Sequence, residues 1–395
     1  MKTYDVCIIG CGVSGLYAAR ECERRGLSYH VFEKNNIYGG LLASLCNDEE
    51  FNECDKYRKL ECAAIRYLPN DHKIVHQLVQ EYNIKTRDEH NDTSFEINNV
   101  LLDTDQTSEI SEQYMKSIFN KMKSIRNTDS LLLVEWLQDN YVVKNSVSTQ
   151  YDTKESITKF LIEAIEADIL YLDVLRLIVL FESLFECTVK AFSSSVVNSH
   201  EYRSFPDGII QIADNLASDI DLSNVSLSTE ITGIMKLDNR FMCISDQQYS
   251  MCKNVFMCVD ACDLNKLLSR SVPQTITRNF IRVYIRLNNK WKYDDINFMY
   301  NGNKQIKLWK WDDYTIMVYT DCMDMHNVID IVKHKYNLSI NKVFPIVQHL
   351  HLRICQSDVE DVPKGMYLTS SSLAPEATTW INSGLTEVNK AIARL

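Results

Sequence analysis

Six residues, Gly10-Cys11-Gly12-Val13-Ser14-Gly15, place glycines at the first, third and sixth positions, and Glu33 follows 18 residues after Gly15. This spacing suits the recognition of a dinucleotide. Gly10 permits a tight turn, Gly12 lets a pyrophosphate approach the backbone, and Gly15 lets a helix pack closely on a strand. A helix that begins at Val13 and Ser14 would turn its unsatisfied N–H groups and partial positive charge toward the phosphates. Glu33 would accept both ribose hydroxyls and repel a 2′-phosphate. Such a motif carries weight only between a strand and a helix, so the flanking elements decide its meaning.

Those elements are present. Residues 4 to 9 form an apolar run ahead of the glycines, Gly15 to Arg25 carries Leu16, Ala19 and Cys22 at helical spacing, and Ser28 to Glu33 reads as the next strand. From about Asp71 to Phe192 the pattern predicts a helical insert, with helices over His72–Tyr82, Ser108–Arg126 and Leu131–Asp139 and a long helical stretch from Glu155 to Phe192. After Phe205-Pro206-Asp207-Gly208 a helix is expected to about Ala217, followed by strands at 225–227, 231–237, 241–244 and 255–259. Segments 280–287, 306–311 and 314–319 are expected to form a second sheet. No repeat or Pro/Gly-rich linker appears, so any second domain is an insertion.

Composition narrows the function. The 395 residues are 45% hydrophobic and 24% charged, as in a folded globular chain, with a net charge of −11. An acidic chain grips phosphate backbones and anionic lipid poorly, so neither nucleic acid nor membrane is expected as a partner. The apolar run from Val6 to Ile9 is too short for a secretory signal, and Ile169–Leu184 is broken by Asp173, Arg176 and Glu182. Thirteen cysteines without zinc or redox spacing read as reduced thiols in a cytoplasmic, reducing compartment, and no metal site is expected.

Beyond Glu33, the pair Gly39-Gly40 makes the chain resemble glutathione-reductase-type FAD proteins, in particular the flavin-containing amine oxidases, where such a pair abuts the pyrophosphate. Glu61-Cys62-Ala63-Ala64-Ile65-Arg66 resembles the family segment beside the isoalloxazine. Ser228-Thr229-Glu230-Ile231 is similar to the strand whose backbone reads the adenine. Gly365 to Leu368, with Trp380 to Leu385, is similar to the closing motif at the phosphates and ribityl chain. Phe280 to Tyr284 and Tyr319-Thr320-Asp321 resemble amine-oxidase-like proteins of large DNA viruses, which would place the chain in host cytoplasm or a virion.

The resemblance implies an α/β fold: a Rossmann-type FAD-binding domain from residues 1–70, 195–275 and 355–395, with an inserted α+β substrate domain from 71–194 and 276–354. It implies noncovalent FAD, a small-molecule amine substrate, hydride transfer from the amine carbon to flavin N5, and reoxidation by O2. The cofactor residues it implies are Gly10, Gly12, Val13, Ser14, Gly15, Glu33, Gly39, Gly40, Arg66, Ile231, Ser372 and Trp380. The chain also departs from the family pattern. Asn35 and Leu41 stand where many members have phosphate-side arginines, Ser371-Ser372 replaces a Gly-Glu pair, and the position of the water-holding lysine, ten residues before Trp291, is Ile281. Arg282 beside it and Trp380 are the catalytic candidates. Trp380 reads equally as a flavin wall or a core residue, and Arg66 as a flavin or carboxylate contact or a surface ion pair. The departures keep a second reading open, a flavoprotein fold that has lost catalysis and serves as a structural or interaction partner.

Overall fold

The structure is a computed structural model, and it describes residues 2–42, 44–45, 59–70, 72–88, 93–97, 100–102, 202–246, 248–268, 275–293, 295–300, 304–320, 324–353, 362–370 and 381–395. Strand β1 (Lys2–Ile9) runs into the glycines, helix α1 (Val13–Arg24) follows them, and β2 (Tyr29–Phe32) lies parallel to β1. Short strands β3 (Ser44–Leu45), β4 (Leu60–Glu61) and β5 (Arg66–Tyr67) lead to helix α2 (Lys73–Glu81). The helix expected over 72–82 is thus present.

The insert expected to be mostly helical needs correction at its start. Residues 87–88 form β6, Thr93–Ile97 form β7 and Val100–Leu102 form β8, and β7 and β8 join the second sheet rather than a helical layer. Thr93-Ser94-Phe95-Glu96-Ile97 alternates with a period of two, which a wide helical window hides. The helices expected over 108–126, 131–139 and 155–192 lie outside the described residues.

The chain then returns through β9 (Arg203–Ser204), which joins β5 and β6, and helix α3 (Ile210–Ser218). Strands β10 (Val225–Ser226), β11 (Ile231–Leu237), β12 (Arg240–Ser245) and β13 (Tyr249–Met257) complete the first sheet, ordered β10-β2-β1-β13-β12-β11. Helix α4 (Ala261–Leu268) follows. The second sheet is built from β14 (Thr275–Leu287), β15 (Asp295–Tyr300), β16 (Lys304–Lys310) and β17 (Thr315–Thr320), then helix α5 (Met325–Tyr336) and β18 (Ile340–Arg353). Its order is β18-β14-β17-β16-β15-β7-β8. Strand β19 (Met366–Leu368) adds to the far half of β13, and α6 (Ile381–Ile392) ends the described chain.

Two apolar layers hold the first sheet. On one side α1 packs on α3 and α6, with Leu16, Ala19, Ile212, Leu216, Leu385 and Val388 all buried, and Val75 and Leu78 of α2 share that core. Asn382 of α6 accepts from the backbone N–H groups of Ile74 and Val75, at 3.0 and 3.4 Å, which caps the open end of α2. Arg20, almost wholly buried, pairs with Glu81 and with Asp219, and so ties α1 to α2 and the end of α3. Cys7, Ile9, Phe241, Cys243, Cys252, Val255 and Leu264 fill the other side.

The second sheet is two-faced because strand side chains alternate. Val283, Ile285, Ile316 and Val318 pack on Val328 and Val332 of α5. The opposite face aligns Phe344, Tyr284, Met317 and Trp309 across four strands, and this face meets residues 59–66 of the first domain.

Candidate functional site

The glycine loop sits where β1 ends. Gly10 adopts φ +99°, a conformation that only glycine takes without strain, and a Cβ there would stand 2.6 Å from the Cys258 carbonyl oxygen. A Cβ on Gly15 would stand 1.9 Å from the Gly10 carbonyl oxygen, so α1 can reach the loop only without a side chain at that position. Gly12 differs. Its backbone is extended (φ −72°, ψ −177°), and a Cβ would meet only the Gly40 Cα at 3.8 Å. Gly10 and Gly15 thus shape the loop, while Gly12 keeps space open in front of it.

Gly39 and Gly40 close that space from the other side. Gly39 pairs with Gly12 in a parallel bridge and donates its N–H to the Cys11 carbonyl oxygen at 2.9 Å. Both take positive φ, +103° and +55°. Two backbones without side chains thus face each other, which is the surface a pyrophosphate needs. No side chain caps α1 and no acid sits in its first turn, so its N-terminal amides remain available to an anion.

Glu33 is buried at the end of β2. Its Oε2 accepts the Cys11 backbone N–H at 2.7 Å, and its Oε1 accepts the backbone N–H and Nδ2 of Asn35, both at 2.8 Å. Oε1 is thereby filled, and Oε2 keeps one acceptor direction. The acid therefore holds the loop and still has capacity for one hydroxyl. Burial and the Glu33 carboxylate push the Cys11 thiol up to about 12, and burial does the same to Cys258, so both are neutral thiols, of which Cys258 lines the cleft.

These parts enclose a cleft of about 500 Å³, lined by Gly10, Gly12, Val13, Ser14, Glu33, Gly40 and Ile231 among the expected residues. Gly15 and Gly39 act behind the lining, as packing and bridging positions. Asn35 and Leu41 also line the cleft. Ser372 and Trp380 lie outside the described residues. Sequence reasoning missed the opposite wall. Cys258, Asp260 and Asp263 stand just beyond β13, with Lys34 paired to Asp263 at 2.6 Å across the rim. The available signal was the end of a parallel strand next to β1, since ligands of open α/β sheets gather beyond strand carboxyl ends.

Arg66 is not part of the cleft lining. Its guanidinium carbon lies 3.9 Å from the Tyr202 ring centre and 4.8 Å from that of Trp309, a cation held between two aromatic faces. Arg282, 5% exposed, donates from Nη1 to the carbonyl oxygens of Glu61 (3.1 Å) and Ala63 (2.8 Å). The Tyr284 hydroxyl donates to Glu61 O at 2.8 Å, and Trp311 Nε1 donates to Lys59 O at 3.1 Å. Glu61 in turn accepts the Ile209 N–H at 2.8 Å, beside α3. Residues 59–63 are therefore pinned from the second sheet by three side chains. Arg282 points to this face together with Tyr284 and Arg286, all buried.

Residues 8–82 match the model of an NAD(P)-binding Rossmann-like domain. Achacin from Lissachatina fulica is 34% identical over 89 residues, which cover 22% of this chain and 15% of Achacin. Across the whole chain, cyclohexylamine oxidase from Brevibacterium oxydans superposes with a TM-score of 0.67 at 11% identity, covering 99% of this chain and 98% of that one. A putrescine oxidase bound to putrescine gives 0.67 at 12% identity, with the same coverage. At such identity the likeness is one of fold. The protein therefore consists of a Rossmann-type NAD(P)/FAD-binding domain with an inserted α+β domain, the fold of the flavin amine oxidases.

Proposed function

We propose that the protein is an FAD-dependent oxidoreductase of the amine oxidase type, acting on a small-molecule amine. The observation that carries this reading is the cradle itself, in which Gly12 and Gly40 face each other with no side chain between them and Glu33 stands at one end. The cradle fits the diphosphate and ribose of FAD. The amides of Val13 and Ser14 would face the phosphates, Glu33 the ribose, and the backbone near Ile231 the adenine. Bound noncovalently, FAD would supply an acceptor for hydride from the amine carbon at N5, with O2 taking the electrons afterwards.

The chain's own residues supply position. Arg282, Tyr284 and Trp311 fix residues 59–63, and the buried aromatic face of Trp309, Trp311 and Tyr284 keeps water from the junction between domains. The proposed FAD domain comprises 1–70, 195–275 and 355–395, to which α2 is added because Val75 and Leu78 pack in its core. The rest of 71–194, without α2, and 276–354 would form the substrate domain. Seven described cysteines are free thiols, which agrees with a reducing, cytoplasm-like compartment, and no described helix is long and apolar enough to cross a membrane. The viral resemblance rests on short segments of β14 and β17, and the relatives named above include no viral protein.

The test is the visible absorption of the purified protein before and after heat release of any ligand. Flavin bands with FAD in the released fraction support the reading. A colourless protein that takes up no added FAD overturns it. One observation favours a second reading, a flavoprotein fold without catalysis. Arg282, next to the lysine position, is committed to two backbone carbonyls and acts as a cross-link. A protein that holds FAD and is bleached by no amine under anaerobic conditions would support that reading instead.

A further inference from the structure

We propose that Cys7, Cys243 and Cys252 form a three-thiolate site for a single copper(I) ion, separate from the nucleotide cleft and independent of its occupant. The residues come from β1, β12 and β13, neighbouring strands of the first sheet, and their Sγ atoms all lie within 4.8 Å of one another. Sulfurs bound at about 2.3 Å around one ion in a trigonal plane stand roughly 4 Å apart, so small side-chain rotations close the ring. Because three hydrogen-bonded strands supply the ligands, the site is organised before the ion arrives.

The donor set selects the ion. All three thiols are 0% exposed, so no water reaches the centre to complete a shell. Among the described residues no histidine, carboxylate or further cysteine joins the group. Structural zinc is almost always four-coordinate, whereas soft thiolates suit copper(I), which is content with three. The surrounding side chains, including Ile9, Phe241, Val255 and Leu264, are apolar and would shield the ion from oxidants. Thiols that ligate as thiolates lose their protons to solvent, so affinity falls as pH falls. None of the three lines the nucleotide cleft.

The experiment titrates reduced, metal-free protein with copper(I) in competition with a chromogenic copper(I) chelator. The native protein is expected to retain one equivalent, with three sulfur scatterers in X-ray absorption. Cys243→Val and Cys252→Val are expected to lose that equivalent while keeping the native circular dichroism. No retained equivalent means that the thiols are merely packed as small apolar groups, and an equivalent unchanged in both variants belongs to other cysteines; either result overturns the proposal. Should the variants fail to fold, alkylation of the native protein in moderate urea, mapped by mass spectrometry, decides. Copper must protect Cys7, Cys243 and Cys252, and protection confined to other cysteines refutes the site.

Discussion

Gly12→Ala separates folding from binding, and the structure sets the size of both effects. The Gly12 backbone is extended, so alanine adopts it without strain, and the added methyl meets only the Gly40 Cα at an ordinary 3.8 Å. Stability should hold or rise slightly, because alanine reduces the freedom of the unfolded chain by about 0.4–1 kcal/mol. In the cleft the same methyl stands between the two glycine backbones and keeps a phosphate away from the amides. Losing one charge-assisted hydrogen bond costs about 1.5–3 kcal/mol, or roughly a 10- to 150-fold weaker dinucleotide. Gly15→Ala is the control, since its methyl would overlap the Gly10 carbonyl oxygen at 1.9 Å and must displace α1 or the loop. Flavin fluorescence titration with FAD, beside thermal melting by circular dichroism, reads both quantities. The reasoning is refuted if Gly12→Ala binds FAD like the native chain, or if Gly15→Ala melts at the native temperature.

Three further outcomes follow from named contacts. Burial holds His30 at about 4 and His72 at about 3, whereas both protonate near 6.5 once unfolded. The unfolded chain thus binds more protons between pH 6.5 and 4, so stability falls as pH falls through that window, by about 2 kcal/mol per histidine from pH 7 to 5. Urea unfolding at the two pH values should show this loss, and His72→Asn should remove about half of it. Leu41→Arg, at a half-exposed cleft position, should tighten FAD by about tenfold in the same titration at low salt, through one exposed charge-assisted phosphate contact. Arg282→Met should lower stability by about 2–4 kcal/mol, seen as an earlier urea midpoint, because Ala63 O and Glu61 O each lose a charged donor.

What the residues alone determined was local. Strand, glycine loop, helix and acid occupy one short stretch, and each glycine has a steric reason that can be stated before any coordinates. The bounds of β11, and those of β12, β16 and β17 within about two residues, were readable for the same cause, since alternation is a property of neighbouring positions. Other decisions belonged to the tertiary structure because they join distant segments. Only folding shows that Asp263 and Lys34 share the cleft rim, that Arg66 is held between Tyr202 and Trp309, and that β7 pairs with β15 about 200 residues onward. The face of β14 is the clearest case. Counting back from Trp291 lands on Ile281, with Arg282 on the opposite strand face, and folding shows that Arg282, Tyr284 and Arg286 share the face toward residues 59–63. Which of two opposite faces meets another domain is set by packing, because either parity is equally compatible with the strand itself.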